Sequence, residues 1–118
     1  MKLEAFDAYC RALPAVTYVN QWGGAHVYKV GGRIFAIAGF ADRGEAPAYA
    51  FKASEMAYHL LIEHGLALPA PYLARASWVR LVSQDALGDA DLIAYLGQAH
   101  ALVAARLTRA VRASLGLG

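Results

Sequence analysis

Residues 25–38, Ala25-His26-Val27-Tyr28-Lys29-Val30-Gly31-Gly32-Arg33-Ile34-Phe35-Ala36-Ile37-Ala38, hold two β-rich runs of similar length on either side of a glycine pair. A two-residue hairpin turn whose twist matches its strands needs φ > 0 at both central positions, and Gly-Gly adopts that without the steric cost of a Cβ. The flanking Val, Tyr, Ile and Phe suit a pleated surface. The turn also sets a register. With two central residues, Val30 pairs with Arg33 and Lys29 with Ile34, which puts the side chains of Lys29 and Arg33 on opposite faces of the sheet.

The rest of the chain supplies elements that such a hairpin can join. Leu3, Phe6, Cys10 and Leu13 recur at helical spacing and predict a helix over about 2–13, ended by Pro14. Strands are expected near 17–22, 25–30, 33–40, 48–53 and 78–82. Residues 41–47 have loop chemistry. Ser54 is placed to cap a helix over 54–64, with Glu55 at the positive end of its dipole, Ala57, Leu60, Leu61 and His64 on one stripe, and Gly65 as the residue that ends it. Leu66 to Ala76 carries two prolines and no period, and reads as an ordered crossover. Leu92, Leu96, Ala99, Val103, Leu107 and Val111 form a continuous apolar stripe that predicts one long final helix over 89–113, started by Gly88 or Asp89. Hairpin-linked strands make an antiparallel sheet, and three helices cover only part of it. The expected class is α+β in two layers, with about five strands packed against helices, as one domain over residues 1–118.

Composition narrows the setting. Of 118 residues, 58% are hydrophobic, so a membrane reading has to be tested. The apolar stretches at 30–40 and 99–105 are broken by glycine, arginine or histidine long before the roughly 20 residues that a spanning helix needs. The N-terminus places Glu4 and Asp7 where a secretory signal would carry its apolar segment. A single cysteine, Cys10, cannot form an internal disulfide and fits a reducing compartment. A cytoplasmic protein with no membrane partner is expected.

Leu13-Pro14-Ala15-Val16-Thr17 at the end of a first helix, the run Val27 to Ala36, Phe51-Lys52 entering a helix, Pro71-Tyr72 followed by Trp78-Val79, and a closing helix through Leu92 to Leu107 together resemble the MmcQ/YjbR family of small bacterial proteins, over essentially the whole chain. The resemblance implies a compact fold similar to that of the bacterial frataxin homologue, and carries the DNA-binding label of that family. The chain departs from many relatives just before the tryptophan. Where they have a basic, histidine-containing run, this chain reads Leu73-Ala74-Arg75-Ala76-Ser77-Trp78, with Arg75 as its one cation.

No reaction is written into the residues. His59 and Glu63 have three residues between them, whereas an inverted zinc motif needs two, so a solvated helix pair is the plainer reading. His26 and His100 stand isolated in the sequence. Cys10 lies on the inward stripe of the first helix, where a packed thiol is commoner than a nucleophile. Asp85, Asp89 and Asp91 precede or open the last helix, and capping explains them more simply than calcium. An iron-handling role would need an acidic ridge, and the first helix offers only Glu4 and Asp7. No cofactor, metal or catalytic residue is expected, and the protein reads as non-enzymatic.

DNA is the partner the cations allow. Lys and Arg total 11 against 9 acids, with a net charge of +2 and a pI near 8.8, short of a strongly basic domain. Lys29, Arg33, Lys52, Arg75 and Arg80 fall on or beside strands, with Trp78 among them, and form the expected DNA-contacting set. The plainer readings are scattered edge cations and, for Arg106, Arg109 and Arg112, charges that offset the C-terminal end of one helix dipole. The alternative function is an interaction or small-ligand module using a cleft between the sheet and the Pro69–Trp78 crossover.

Overall fold

The computed structural model describes residues 1–39, 47–71, 73 and 76–118. Its elements are α1 (Leu3–Ala12), β1 (Val16–Gln21), β2 (Ala25–Val30), β3 (Arg33–Ala38), β4 (Tyr49–Lys52), α2 (Glu55–Glu63), β5 (Ala67–Pro69), β6 (Trp78–Leu81), α3 (Asp89–Ala104) and α4 (Arg109–Ser114). One antiparallel sheet takes the order β1-β2-β3-β4-β6-β5. The fold is α+β, as expected, with six strands in place of about five.

The glycine turn forms as its chemistry requires. Gly31 and Gly32 have φ of 59° and 79°, and Val30 pairs with Arg33 and Lys29 with Ile34. One residue further on the ladder slips. Tyr28 pairs with Ala36, which leaves Phe35 as the extra residue of a bulge. Phe35 and Ala36 consequently both join the core beneath the helices, while Ile37 turns to the other face.

The two faces are covered differently. On one, α1 and α3 bury Phe6, Cys10, Leu92, Leu96, Ala99 and Val103 against Tyr28, Val30, Phe51 and Val79, with the Phe6 ring stacked on Tyr49 at 4.1 Å. On the other face Ala70, Leu73 and Trp78 pack onto Ala25, Val27, Ile37 and Ala50. Ala70, Leu73 and Trp78 thus lay the described part of the crossover onto the sheet; Tyr72, Ala74 and Arg75 of the segment where a cleft is expected lie outside the described residues.

Three boundaries differ from the sequence reading. Residues 67–69 add an edge strand within the expected crossover, because three residues ending in proline give no period-two signal. The expected strand over 33–40 ends at Ala38, and Phe40 lies outside the described residues. The expected helix over 89–113 is two helices. Arg106 and Leu107 donate their backbone N–H groups to carbonyls three residues back, and the Thr108 hydroxyl then accepts from the Val111 N–H at 3.2 Å, capping a new helix. The apolar stripe runs through the break, since Leu107 is 8% exposed, but Val111 is turned outward.

The break sets Leu107 against the hairpin. Leu107 presses against Gly31 so closely that a Cβ on Gly31 would stand 2.6 Å from a Leu107 methyl. Gly32 has the same left-handed backbone but open space around it. Both Gly→Ala changes should cost about 1–2 kcal/mol in backbone strain. Gly31→Ala should cost about 1 kcal/mol more than Gly32→Ala through displacement of Leu107, a difference that urea unfolding of the two variants measures.

Candidate nucleic-acid interface

Strand register decides which cations can act together. Lys29 lies on the same face as Val27, Lys52 pairs with Trp78, and Arg80 pairs with Ala50, so Lys29, Lys52, Trp78 and Arg80 all belong to the face away from α1 and α3. Lys29, Lys52 and Arg80 are half-buried there. Arg33, opposite Val30, is exposed on the other face at the hairpin tip. Arg75 lies outside the described residues.

Two members of the expected set change character. Trp78 is 5% exposed and packs with Val27 and Ile37, so its ring has no free face on which a base could stack. Lys52 donates to the Ala76 carbonyl and thereby ties the crossover to the sheet. Burial, together with the neighbouring Arg106 charge, holds the Lys52 ammonium below its ordinary value. Arg106 thus joins Lys52 across the end of the fold, a neighbour that spacing along the chain could not reveal.

The break before α4 also changes the account of the C-terminal arginines. Arg106 follows the end of α3 and Arg112 lies in the last turn of α4, where the dipole favours cations. Arg109 opens α4, where the dipole disfavours it. The opposite end of α3 is acidic: Asp89 and Asp91 lie in its first turn, and Asp85 and Asp89 lie 3.0 and 3.5 Å from the Met1 amine.

Sequence reasoning missed one polar cluster. Tyr28 donates to Asp7 at 2.7 Å, the Arg11 Nε donates to the same oxygen at 2.9 Å, and the Arg11 guanidinium lies 3.7 Å from the centre of the Tyr18 ring. The Tyr18 hydroxyl meets the His26 Nδ1 at 2.7 Å. His26 is therefore not isolated, and neither is His100, whose Nε2 lies 2.8 Å from the Pro14 carbonyl. The Asp7–Arg11 spacing is legible in the sequence as an i, i+4 pair; the two tyrosines and the histidine reach it only through the sheet. Cys10, beside this cluster, is buried, and burial with the nearby Asp7 charge pushes its thiol up to about 12. It should react with an aromatic disulfide at pH 8 only when the protein is unfolded.

No group of three or more His, Cys, Asp or Glu side chains among the described residues is arranged to hold a metal. No described helix is long and apolar enough to cross a membrane.

A family model described as YjbR matches residues 11–102, from the last turn of α1 through most of α3. The chain belongs to the YjbR family. The crystal structure of Deinococcus radiodurans protein DR2400, which carries a DUF419 domain, superposes with a TM-score of 0.83 at 21% identity, covering 99% of this chain and 89% of that one. At that identity the likeness establishes the YjbR-like fold. No curated protein matches the chain.

Around Asp7, burial pushes the carboxyl up, but the hydrogen bonds from Tyr28 and Arg11 and the Arg11 charge outweigh it and leave the group below its ordinary value. A carboxyl whose folded value lies below its unfolded one stabilises the fold above about pH 4, and that contribution is lost as pH falls through the lowered value. Asp7→Asn should therefore lower Tm most near neutral pH. The gap from wild type should close in thermal melts taken below about pH 4.

Proposed function

We propose that this YjbR-family protein is a cytoplasmic, non-enzymatic binding protein that holds DNA weakly through its phosphate backbone, using the sheet face away from α1 and α3. The observation that carries the reading is the register that sets Lys29, Lys52 and Arg80 on that one face. Arg106 extends the group at the hairpin end, where it neighbours Lys52. Among the described residues no ion pair engages Lys29, Arg33 or Arg106, so their charge is available to phosphate.

Distribution compensates for a modest total. The net charge of +2 conceals a separation: acids gather at the start of α3 and arginines beyond its end, about 24 Å apart at 1.5 Å per residue. A cationic end steers a polyanion even when the whole chain is nearly neutral. The buried Trp78 cannot stack on a base, and the contacts that the cations make are to phosphate, which carries no sequence information.

One specific observation favours a second reading. A groove of about 360 Å³ between α2 and α3 is lined by Leu60, Leu61, Leu66, Leu87 and Tyr95, with His64 and Asp91 as its polar groups. Leu60 is 47% exposed beside it. A small apolar ligand or a partner helix would fit there, and its binding would respond little to salt.

Fluorescence anisotropy against duplexes of unrelated sequence separates the two. Lys29→Ala and Arg106→Ala should each weaken binding equally for every sequence and reduce the slope of log K against log salt by about one unit. Arg80→Ala tests the centre of the same face, and Arg75→Ala the crossover. Arg11→Ala, on the helix side and paired with Asp7, should leave the slope unchanged. Absence of binding at low salt, or binding indifferent to salt, would favour the α2–α3 groove.

A further inference from the structure

The helical layer does not close over the sheet. α1 packs on β1 and β2, α3 on β2, β3 and β4, and α2 on β5 and β6, so α2 and α3 stand on either side of the boundary between β4 and β6. The groove of about 360 Å³ lies in that gap, with Leu61 and Leu87 inside it, Leu60 and His64 on the α2 bank, and Asp91 and Tyr95 on the α3 bank.

Its open side is apolar. Leu60 is 47% exposed, and Met56, one turn earlier on the same ridge of α2, is 81% exposed. A bank left so open does not enclose a small molecule, which buries roughly 70–90% of its surface in its site. A helix lying along the gap covers such a bank, with its apolar ridge set between the two flanking helices. The unbranched, polarizable side chain of Met56 adapts to a ridge of that kind.

The charge around the groove selects the partner. Between Ala53 and Ala105 the described acids are Glu55, Glu63, Asp85, Asp89 and Asp91, and the described Lys or Arg is Arg80 alone, which strand register places on the opposite face of the sheet. Asp85 and Asp89 are engaged by the Met1 amine. Glu63 and Asp91 are exposed and enter no ion pair among the described residues. Asp91 lines the α3 bank, and Glu63, three residues after Leu60, is its neighbour on the surface of α2. One carboxylate thus stands on each side of an apolar gap, with no described lysine or arginine between them.

We propose, building on the groove reading above and independently of the DNA face, that this groove docks a basic amphipathic helix of another protein. Its apolar ridge lies between Leu60 and Tyr95, and its flanking lysines or arginines meet Glu63 and Asp91. Exposed ion pairs add only about two- to five-fold each to affinity. Their larger effect is on the choice of partner, because an acidic helix, a nucleic acid or an anionic membrane meets like charge on both banks.

Fluorescence anisotropy of the full chain against two labelled peptides of about 18 residues, long enough to hold a helix, tests the assignment. Both peptides carry the same leucine ridge, flanked by lysine in one and by glutamate in the other. The lysine peptide should bind about tenfold more tightly. Glu63→Gln and Asp91→Asn should each weaken it about two- to five-fold without weakening the glutamate peptide. Lys29→Ala, on the other face, should change neither. In the unmodified protein, amide shifts on adding the lysine peptide should centre on residues 60–66 and 87–95. Equal affinity for the two peptides, no binding of either, or shifts centred elsewhere would overturn the proposal. Should neither peptide bind while a neutral aromatic fluorophore shifts the same amides, the groove is a small-ligand site and the basic helix is refuted.

Discussion

Leu107, in the break between α3 and α4, meets the hairpin at Gly31 and joins the helical layer to the sheet at that end. On the sheet side, two glycines with positive φ close the hairpin and leave room for a methyl group where any Cβ on Gly31 would collide. On the helix side, Leu107 enters that space where the chain leaves α3 at Ala104, turns through residues 105–108 and restarts at Arg109. The break carries Arg106 to the sheet end, beside Lys52. Core packing by Leu107 and the surface charge of Arg106 thus meet at the same end of the fold.

The cations of the sheet are held in different ways and on different faces. Lys52 is partly desolvated by its place at the end of β4 and is engaged with the crossover carbonyl of Ala76. Its ammonium therefore serves structure and surface charge together. Lys29 and Arg33 stand near one another in the chain but are divided by the sheet, because a two-residue turn fixes parity. Few cations can meet one polyanion at once, which is the physical reason to expect weak, salt-sensitive attachment.

Local chemistry made most of the sheet legible. The hairpin, its register, the Ser54 cap at 3.1 Å from the Ala57 N–H and the left-handed Gly65 are each decided within a few residues by turn and cap stereochemistry. What sequence could not show depended on distant neighbours. The Phe35 bulge, the pairing of β5 and the break before Thr108 are settled by packing, and an apolar period is blind to a lost hydrogen bond when the stripe itself continues. The burial of Trp78 follows from the crossover folding back on the sheet. Leu60 shows the same limit in reverse: it shares a helical stripe with Leu61, but only Leu61 is buried, at 2% exposure against 47% for Leu60.

Edges add a constraint that neither face supplies. A sheet with one face under helices and the other under its own crossover has hidden most of its apolar area, and its remaining reactivity lies in unpaired backbone groups. At β5 the chain protects them with Pro69. β1 itself carries no charge, and above it on α1 Asp7 and Arg11 pair with each other. That arrangement stabilises α1 against β1 and β2 through Tyr18 and Tyr28, and it leaves the edge itself neutral. The N-terminal helix is therefore tied to the first two strands through a charge pair that lies above the edge strand and not on it.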